Sequence, residues 1–273
     1  MDRIENIDFC IRYLMQQEDV KTEAPSTLKD KQQLLRALMN VWVPQQLSEE
    51  FLRAQDSELQ AQLKDKGIVD NENQNEKQNE SQNRVSQLST LNSKLSTEIW
   101  QGDITRLKVD AIVNAANSQG LGCWQPLHAC IDNAIHSASG LQLRQECNNI
   151  LRGGVINTGE AIITPGYNLP ARYVIHTVGP IVSNHHPTAE QREQLANCYR
   201  SCIELALRNG CRSIAFCCIS TGVFGYPNRE AAEVAIETVI QTIKQSGNHT
   251  VKIVFNVFKD IDYDIYRELL GTH

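Results

Sequence analysis

The chain has 273 residues, of which 41% are hydrophobic, and a formal net charge of -6 at pH 7. This length can bury one medium-sized core and still leave an accessory piece. The basic residues are scattered, which argues against a nucleic-acid-binding groove. No apolar run reaches the roughly 18 residues of a membrane-spanning helix, and the N-terminus lacks a secretion-signal pattern. We therefore expect a cytoplasmic protein that binds neither nucleic acid nor a membrane.

Nine cysteines are present, an odd number in a long chain without a secretion signal. This usage argues against a disulfide framework. Most of the cysteines lie in helix or strand patterns, where a free thiol packs as a small hydrophobic group. Cys123 and Cys130 differ from the others because they lie on either side of His128.

Residues 1–65 predict an accessory helical region that packs on the main domain. Leu28–Val43 carries leucines at helical spacing, and Ser48 is a predicted N-cap, because its hydroxyl can accept from an open amide of the first turn. Residues 66–95 predict a linker, since the stretch 70–83 is low in complexity and almost without apolar side chains. Such a stretch cannot bury enough surface to offset its ordering entropy.

From residue 96 to 273 strand and helix patterns alternate. The predicted strands are residues 98–101, 111–115, 160–164, 172–178, 213–220 and 251–257. The predicted helices fall within 126–151, interrupted near residue 140, and at 188–209, 229–246 and 260–270. The alternation predicts an α/β domain with a central mixed sheet covered on both faces. Ligands bind such sheets outside the carboxyl ends of the strands, so the loops there are the candidate site.

Two of these loops suit a nucleoside. Asp103 follows the first strand and can accept from an exocyclic amine such as that of adenine, with Ile104 packed on the ring. The alternative is an N-cap on the next turn. Asn114–Asn117 follows the second strand, and its amides suit ribose hydroxyls, although a turn or an Asx motif would use the same residues.

A third loop suits a diphosphate. Residues 220–227 follow an apolar strand and precede a helix, and they include two glycines. Free backbone amides before a helix form a concave anion-binding surface. Phe224 or Tyr226 could cover a sugar or a base.

The fourth loop carries a candidate metal site. Cys123, His128 and Cys130 are spaced Cys-x4-His-x-Cys, and thiolate with imidazole is a ligand set for zinc. Three protein ligands leave an open coordination position, which favours chemistry over scaffolding. Residues two apart on a helix diverge by about 200°, so the segment must be a loop that opens a helix, with Asp132 and His136 in its first turns.

Charge suggests how such a site would work. Two thiolates and a neutral imidazole cancel the charge of Zn²⁺, so bound water should be less acidic than at an all-histidine site. Asp132 is the natural carboxylate to orient or deprotonate that water. The alternative is three buried side chains without a metal. We interpret His136 as a helix-face residue rather than as a partner of the ligands.

Four motifs together resemble a known family. Gly102-Asp103-Ile104, the run 109–117, His176-Thr177-Val178-Gly179 and the loop 220–225 resemble a macrodomain, the ADP-ribose-binding α/β fold, over roughly residues 96–271. The resemblance implies a three-layer α/β/α domain with a mixed central sheet, preceded by a helical N-terminal extension. The segment 122–136 is similar to the zinc-dependent branch of the family, whose microbial members remove mono-ADP-ribose from proteins.

The resemblance also implies a role for each matched residue. Asp103 and Ile104 are expected to bind the adenine end, and Asn117 is expected to contact the distal ribose. The phosphates would be surrounded by Ser220, Thr221, Gly222, Val223 and Phe224. The ligands of one zinc ion per chain would be Cys123, His128 and Cys130. Cys130, Ile131 and Asp132 would line the adjoining pocket, and Asp132 with Asn117 would be catalytic.

The expected function is hydrolysis at C1″ of the distal ribose, the bond that joins mono-ADP-ribose to a protein. Zinc would activate a water or polarise ribose oxygens, Asn117 would orient the ribose, and Asp132 would steer the nucleophile or stabilise oxocarbenium charge. Some members of the branch are encoded beside a sirtuin-type transferase and a lipoyl-carrier protein, which points to such a modified carrier as the partner. The alternatives are a module that binds ADP-ribose without cleaving it, and a hydrolase of O-acyl-ADP-ribose or of a 1″-phosphate.

Overall fold

The computed structural model of the protein describes residues 2–70, 84–86, 95–247 and 250–271. Three helices come first, α1 (Arg3–Gln17), α2 (Leu28–Val41) and α3 (Glu49–Lys66). Each begins after a residue whose side chain accepts from a backbone amide of the first turn, and for α3 that residue is Ser48, as predicted. Their shared core includes Ile7, Ile11, Leu14, Leu35, Trp42 and Phe51.

The helical region packs on the following domain. Leu141 of that domain joins the core of the three helices, and its backbone amide donates to Gln55 Oε1 at 2.9 Å. Gln60 Nε2 donates to the backbone carbonyl of Asn168 at 2.9 Å. These contacts confirm the expected packing of the extension on the main domain.

The rest of the described chain is an α/β domain. Its strands are β1 (Val69–Asp70), β2 (Arg84–Ser86), β3 (Leu95–Gln101), β4 (Leu107–Lys108), β5 (Ala111–Ala115), β6 (Ala161–Pro165), β7 (Tyr173–Thr177), β8 (Ser213–Phe216) and β9 (Val251–Val257). Its helices are α4 (Ile131–Ser139), α5 (Leu141–Leu151), α6 (Ala189–Arg208), α7 (Asn228–Gln245) and α8 (Asp260–Leu269), with a short 3₁₀ turn at Ile104–Arg106.

Seven strands form one mixed sheet in the order β2-β3-β9-β8-β5-β7-β6, while β1 pairs with β4. The five inner strands run parallel, and the two edge strands, β2 and β6, are antiparallel to their neighbours. The helices flank this sheet, as expected, over a core that includes Ile112, Val174, Ile214 and Phe255. Because the parallel strands end at one edge, the loops that follow them converge there.

One predicted strand is too long. The apolar run to Ser220 predicted a strand of eight residues from Ser213, but β8 ends at Phe216, which pairs with Phe255. Cys217 and Ile219 stay buried in the loop that follows, and Ser220 turns with a φ of +65°. Hydrophobicity alone does not distinguish a buried loop from a buried strand.

Most of the predicted linker, residues 71–83 and 87–94, lies outside the described residues. Within the predicted bounds of 66–95, β1 and β2 form short strands, and the bounds themselves stay a prediction. In the described parts of the chain, no helix combines the length and apolar character needed to span a membrane.

Candidate active site

A large cavity of about 1020 Å³, lined by described residues, lies at the carboxyl edge of the sheet. It is lined by the residues to which the family resemblance assigns a role: Asp103, Ile104, Asn117, Cys123, His128, Cys130, Ile131, Asp132, Ser220, Thr221, Gly222, Val223 and Phe224. A second wall comes from α2 and α3, which contribute Arg36 and Lys66 among others. The structure thus brings the four predicted loops together and adds the helical extension to them.

The three candidate metal ligands are close enough to share an ion. The Sγ atoms of Cys123 and Cys130 and a ring nitrogen of His128 all lie within 4.8 Å of one another, and Cys123 Sγ is 3.5 Å from His128 Nδ1. All three residues are half-buried. Two sulfurs and an imidazole nitrogen are donors that zinc prefers, so the residues present fit this metal.

Cys130 also begins helix α4, as the spacing predicted for a loop that opens a helix. It is the N-cap residue, and its Sγ accepts from the backbone amide of Asn133 at 3.4 Å. Burial raises the pKa of the Cys130 thiol to about 11, and the neighbouring Cys123 adds to the rise. A bound cation would offset this cost, because a thiol loses its proton when it becomes a metal ligand.

Asp132 lies in the first turn of α4 and is 4% exposed. Its Oδ1 accepts from Asn114 Nδ2 at 2.8 Å, and its Oδ2 lies 3.4 Å from Asn117 Nδ2. Burial raises the pKa of Asp132 to about 6, although the Asn114 hydrogen bond and the charge of Arg144 oppose the rise. A carboxyl group with this pKa can exchange a proton near neutral pH, as acid–base catalysis requires.

Asn117 stabilises a turn, the alternative that the sequence left open, and also faces the cavity. Its Oδ1 accepts from the amide of Gly120 at 3.1 Å, and its Nδ2 donates to the carbonyl of Gly122 at 3.0 Å. The same side chain therefore shapes the turn before the metal loop and reaches Asp132. The two interpretations of this asparagine are compatible.

Beneath Asp132 lies a buried polar network. Asn114 Nδ2 is 3.2 Å from His176 Nδ1, and His176 Nε2 is 3.1 Å from Thr164 Oγ1. Burial lowers the pKa of His176 to about 3, so its ring is neutral. A neutral ring can accept from Asn114 on Nδ1 and donate to Thr164 through Nε2. This network orients the side-chain amide of Asn114, which donates a hydrogen bond to Asp132.

His136 is part of the same interior. Its ring is buried, 3.6 Å from Asp132 Oδ1, and neither ring nitrogen has a hydrogen-bond partner among the described residues. Burial and the nearby His176 lower its pKa well below the usual value. His136 therefore occupies the inner face of α4 as an uncharged ring, in agreement with the helix-face interpretation.

Asp103 serves as an N-cap and still lines the cavity. Its Oδ1 accepts from the amide and hydroxyl of Thr105 at 3.0 and 2.6 Å. Lys66 of α3 donates to its Oδ2 at 3.2 Å. Burial acts to raise the pKa of Asp103, but Thr105 and Lys66 together hold it below the usual value. The carboxylate is thus ionised and already paired on one side.

The loop after β8 decides between Phe224 and Tyr226, the two alternatives that the sequence left open for covering a ligand. Tyr226 is buried in the core, so it cannot cover a ligand, whereas Phe224 lines the cavity. Gly225 has a φ of +70° and turns the chain back towards the interior between them. On the cavity side Val223 is 82% exposed.

Among the residues near the site that were not predicted from the sequence are Arg36 and Asn40 on α2 and Arg144 on α5. Each forms hydrogen bonds to residues about 90 to 105 positions away in the chain, including the metal loop and the start of α4. Lone basic or amide residues in helix patterns carry no motif, so no signal in the sequence could have identified them.

Comparison with known proteins agrees with this geometry. The Macro domain family model matches residues 113–235. A protein-ADP-ribose hydrolase of Treponema medium is 45% identical over 99% of this chain and 100% of its own length.

Solved structures of macrodomains are also similar to this chain. An Oceanobacillus iheyensis macrodomain with ADP has a TM-score of 0.61 at 42% identity, covering 69% of this chain and 96% of that one. A Trypanosoma brucei macrodomain in complex with ADP-ribose has a TM-score of 0.56 at 39% identity, covering 64% of this chain and 69% of that one. The chain belongs to the macrodomain family.

Proposed function

We propose that this protein is a zinc-dependent hydrolase that removes mono-ADP-ribose from modified proteins by cleaving the bond at C1″ of the distal ribose. One observation carries the proposal: the Cys123, His128 and Cys130 cluster and the buried carboxyl of Asp132 open into the same cavity as the loops predicted to bind the nucleotide. The relative from Treponema medium, named a protein-ADP-ribose hydrolase, supports the activity.

In this proposal ADP-ribose lies along the strand ends with its distal ribose at the metal loop. Asp103 and Ile104 bind the adenine end, residues 220–224 surround the diphosphate, and Asn117 contacts the distal ribose. The cavity of about 1020 Å³ is at the upper end of the roughly 300–1,000 Å³ usual for ligand pockets. It therefore leaves room for part of a modified protein beside the nucleotide.

Cys123, His128 and Cys130 would hold the zinc ion. When bound there, zinc supplies a Lewis acid beside the distal ribose. The other residues act directly on substrate and water. Asn117 orients the ribose, and Asp132, ionised above a pH of about 6, accepts a proton from water as the water oxygen bonds to C1″. The electron pair of the cleaved bond leaves with the group on the target protein.

The partner in this proposal is a mono-ADP-ribosylated protein, with a lipoyl-carrier protein modified by a sirtuin-type transferase as the specific candidate. The family resemblance of the segment 122–136 supports it. Release of ADP-ribose from such a carrier, compared with an unrelated protein modified on the same type of residue, tests the choice. Equal rates on both proteins would contradict a specific carrier.

The decisive experiment measures ADP-ribose release from a mono-ADP-ribosylated protein by the wild type, by Cys130→Ser, by Asp132→Ala and by enzyme treated with a chelator. Zinc content is measured on the same samples. We expect about one zinc per chain in the wild type and strongly reduced release in the other three. Undiminished release in all three would overturn the proposed mechanism.

The same assay separates the alternative functions. A binding module would bind ADP-ribose tightly, contain no stoichiometric zinc and show no turnover. A deacylase or a phosphatase would prefer O-acyl-ADP-ribose or ADP-ribose 1″-phosphate to the modified protein when the substrates are compared side by side.

A further inference from the structure

We infer that helix α2 of the N-terminal extension braces the metal loop, residues 123–130, and that Arg36 and Asn40 are positioning residues for the metal ligands. The inference rests on the proposed metal site. It gives the extension a part in the chemistry of the cavity, beyond packing on the domain.

Asn40 fixes the backbone directly before His128. The amide of Leu127 donates to Asn40 Oδ1 at 3.0 Å, and Asn40 Nδ2 donates to Ser137 Oγ at 3.0 Å. Leu127 has a φ of +57°, a left-handed conformation that a side chain with a Cβ rarely adopts. Because Asn40 is 1% exposed, water does not compete for this bond. Asn40 therefore stabilises an unfavourable backbone conformation next to a ligand.

Arg36 binds the other side of the same turn. Its Nη2 donates to the carbonyl of His128 at 3.3 Å and to Asn133 Oδ1 at 2.6 Å, and its Nε donates to the same Asn133 oxygen at 3.1 Å. Asn133 in turn donates through Nδ2 to the carbonyl of Gln125 at 3.0 Å and through its backbone amide to Cys130 Sγ at 3.4 Å. One guanidinium thus connects α2 to two ligands.

A third link lies beside Cys123. The guanidinium of Arg144 is 4.3 Å from the ring centroid of Trp124, the next residue in the loop. Arg144 Nη1 also donates to three carbonyls at the end of α2, those of Met39, Asn40 and Trp42, at 3.1, 3.0 and 2.7 Å. The C-terminal end of a helix carries partial negative charge, which favours a cation there. Each metal ligand therefore has a connection to α2.

Such a brace should affect metal binding. A loop that is already ordered loses less conformational entropy when it closes on an ion. Partners that orient metal ligands typically change metal affinity or activity about 10- to 100-fold when they are removed. We therefore expect α2 to set the metal affinity of the loop although it contributes no ligand.

The test uses full-length protein without substrate. Zinc affinity is measured by competition with a chelator for the wild type, Arg36→Ala, Asn40→Ala, Arg36→Lys and the control Arg53→Ala, an exposed arginine of α3 that pairs with Glu49. The absorption spectrum of the Co²⁺ form reports the coordination geometry. We expect Arg36→Ala and Asn40→Ala to bind zinc at least about 10-fold more weakly, with a changed Co²⁺ spectrum.

Arg36→Lys should lie between the wild type and Arg36→Ala, because a lysine can reach one acceptor but not both. The control should match the wild type. Circular dichroism and thermal unfolding of the metal-free proteins report folding separately, and if Arg36→Ala does not fold, Asn40→Ala and Arg36→Lys decide the result.

The outcomes separate this inference from the proposed function. Variants with a lower melting temperature but wild-type zinc affinity and Co²⁺ spectrum overturn the brace, and the hydrolase proposal remains. Wild-type protein that binds no zinc overturns both. Weaker zinc binding in Arg36→Ala and Asn40→Ala is by itself enough to support the brace, whichever substrate the enzyme acts on.

Discussion

Two groups of cysteine and histidine in the described part of the chain have similar composition but different surroundings. The open group, Cys123, His128 and Cys130, is half-buried and lines the cavity. The closed group, His136, Cys147 and His176, is fully buried, although its nitrogen and sulfur atoms also lie within 4.8 Å of one another. The two groups therefore have similar residue types and similarly short distances between their candidate ligand atoms.

Burial keeps the side chains of the closed group uncharged. It raises the pKa of Cys147 to about 12 and lowers that of His176 to about 3, so both are uncharged at neutral pH. His176 is engaged with Asn114 and Thr164, and Cys147 Sγ lies 3.7 Å from its Nε2. An ion would have to displace these contacts and deprotonate a buried thiol. Exposure, more than residue type, thus separates a candidate metal site from a core.

The largest expected effect is on the open group. Cys130→Ser should lose zinc and reduce ADP-ribose release by at least about 100-fold, since even partners of metal ligands contribute about 10- to 100-fold. Cys147→Ser is the matched control and should keep its zinc. Zinc analysis and release assays on both variants test the contrast. Loss of zinc from Cys147→Ser with retention in Cys130→Ser would reverse the assignment of the two groups.

Substitutions in the closed group should lower the free energy of unfolding more than substitutions in the open group. His176→Ala should lower the free energy of unfolding by about 2–4 kcal/mol, because it opens a cavity and leaves Asn114 and Thr164 without their partner. His128→Ala, at a half-exposed position, should cost much less. Denaturant unfolding of both variants without metal measures the difference. Equal losses would mean that the two groups do not differ in the way their burial indicates.

Gly122 lies between the two groups, because it precedes Cys123 in the chain and packs against the ring of His136. A Cβ at this residue would lie 2.7 Å from the ring of His136, so Gly122→Ala should cost about 1–3 kcal/mol of stability and weaken zinc binding at the adjacent Cys123. Gly153→Ala is the control, since Gly153 has the same φ of +82° but no atom within 4 Å of its Cβ position. The difference between the variants isolates the contact with His136. If both variants lose the same stability, the contact contributes nothing.

The last prediction concerns pH. The pKa of His176 is about 3 in the folded protein and near its ordinary value of 6.5 when unfolded. Below pH 6.5 the unfolded chain therefore binds more protons, and the free energy of unfolding should fall by up to about 1.4 kcal/mol per pH unit for this residue as pH decreases towards 3. His136 acts in the same direction. Unfolding of the metal-free wild type and His176→Gln between pH 7 and 5 should show a shallower slope for the variant.

Sequence patterns predicted the local features well. The last strand has the predicted bounds, the helix after the metal loop begins where the ligand spacing requires, and the residues to which the resemblance assigns a role line one cavity. Patterns did not predict the direction of a chain after a turn, so they left Phe224 and Tyr226 as alternatives, of which Tyr226 lies in the core. They also could not separate the buried loop 217–219 from a strand.

By itself the sequence determined the fold class and predicted the loops that line the cavity, because periodicity and motif loops depend on neighbouring residues. Only the tertiary structure decided how Cys123 to His136 are held. Arg36 and Asn133 are 97 positions apart, and His136, Cys147 and His176 come from two helices and a strand. Such contacts depend on how elements pack, and burial then determines which cysteine and histidine side chains stay neutral. The loop that carried the metal motif is thus supported by a helix with no motif of its own.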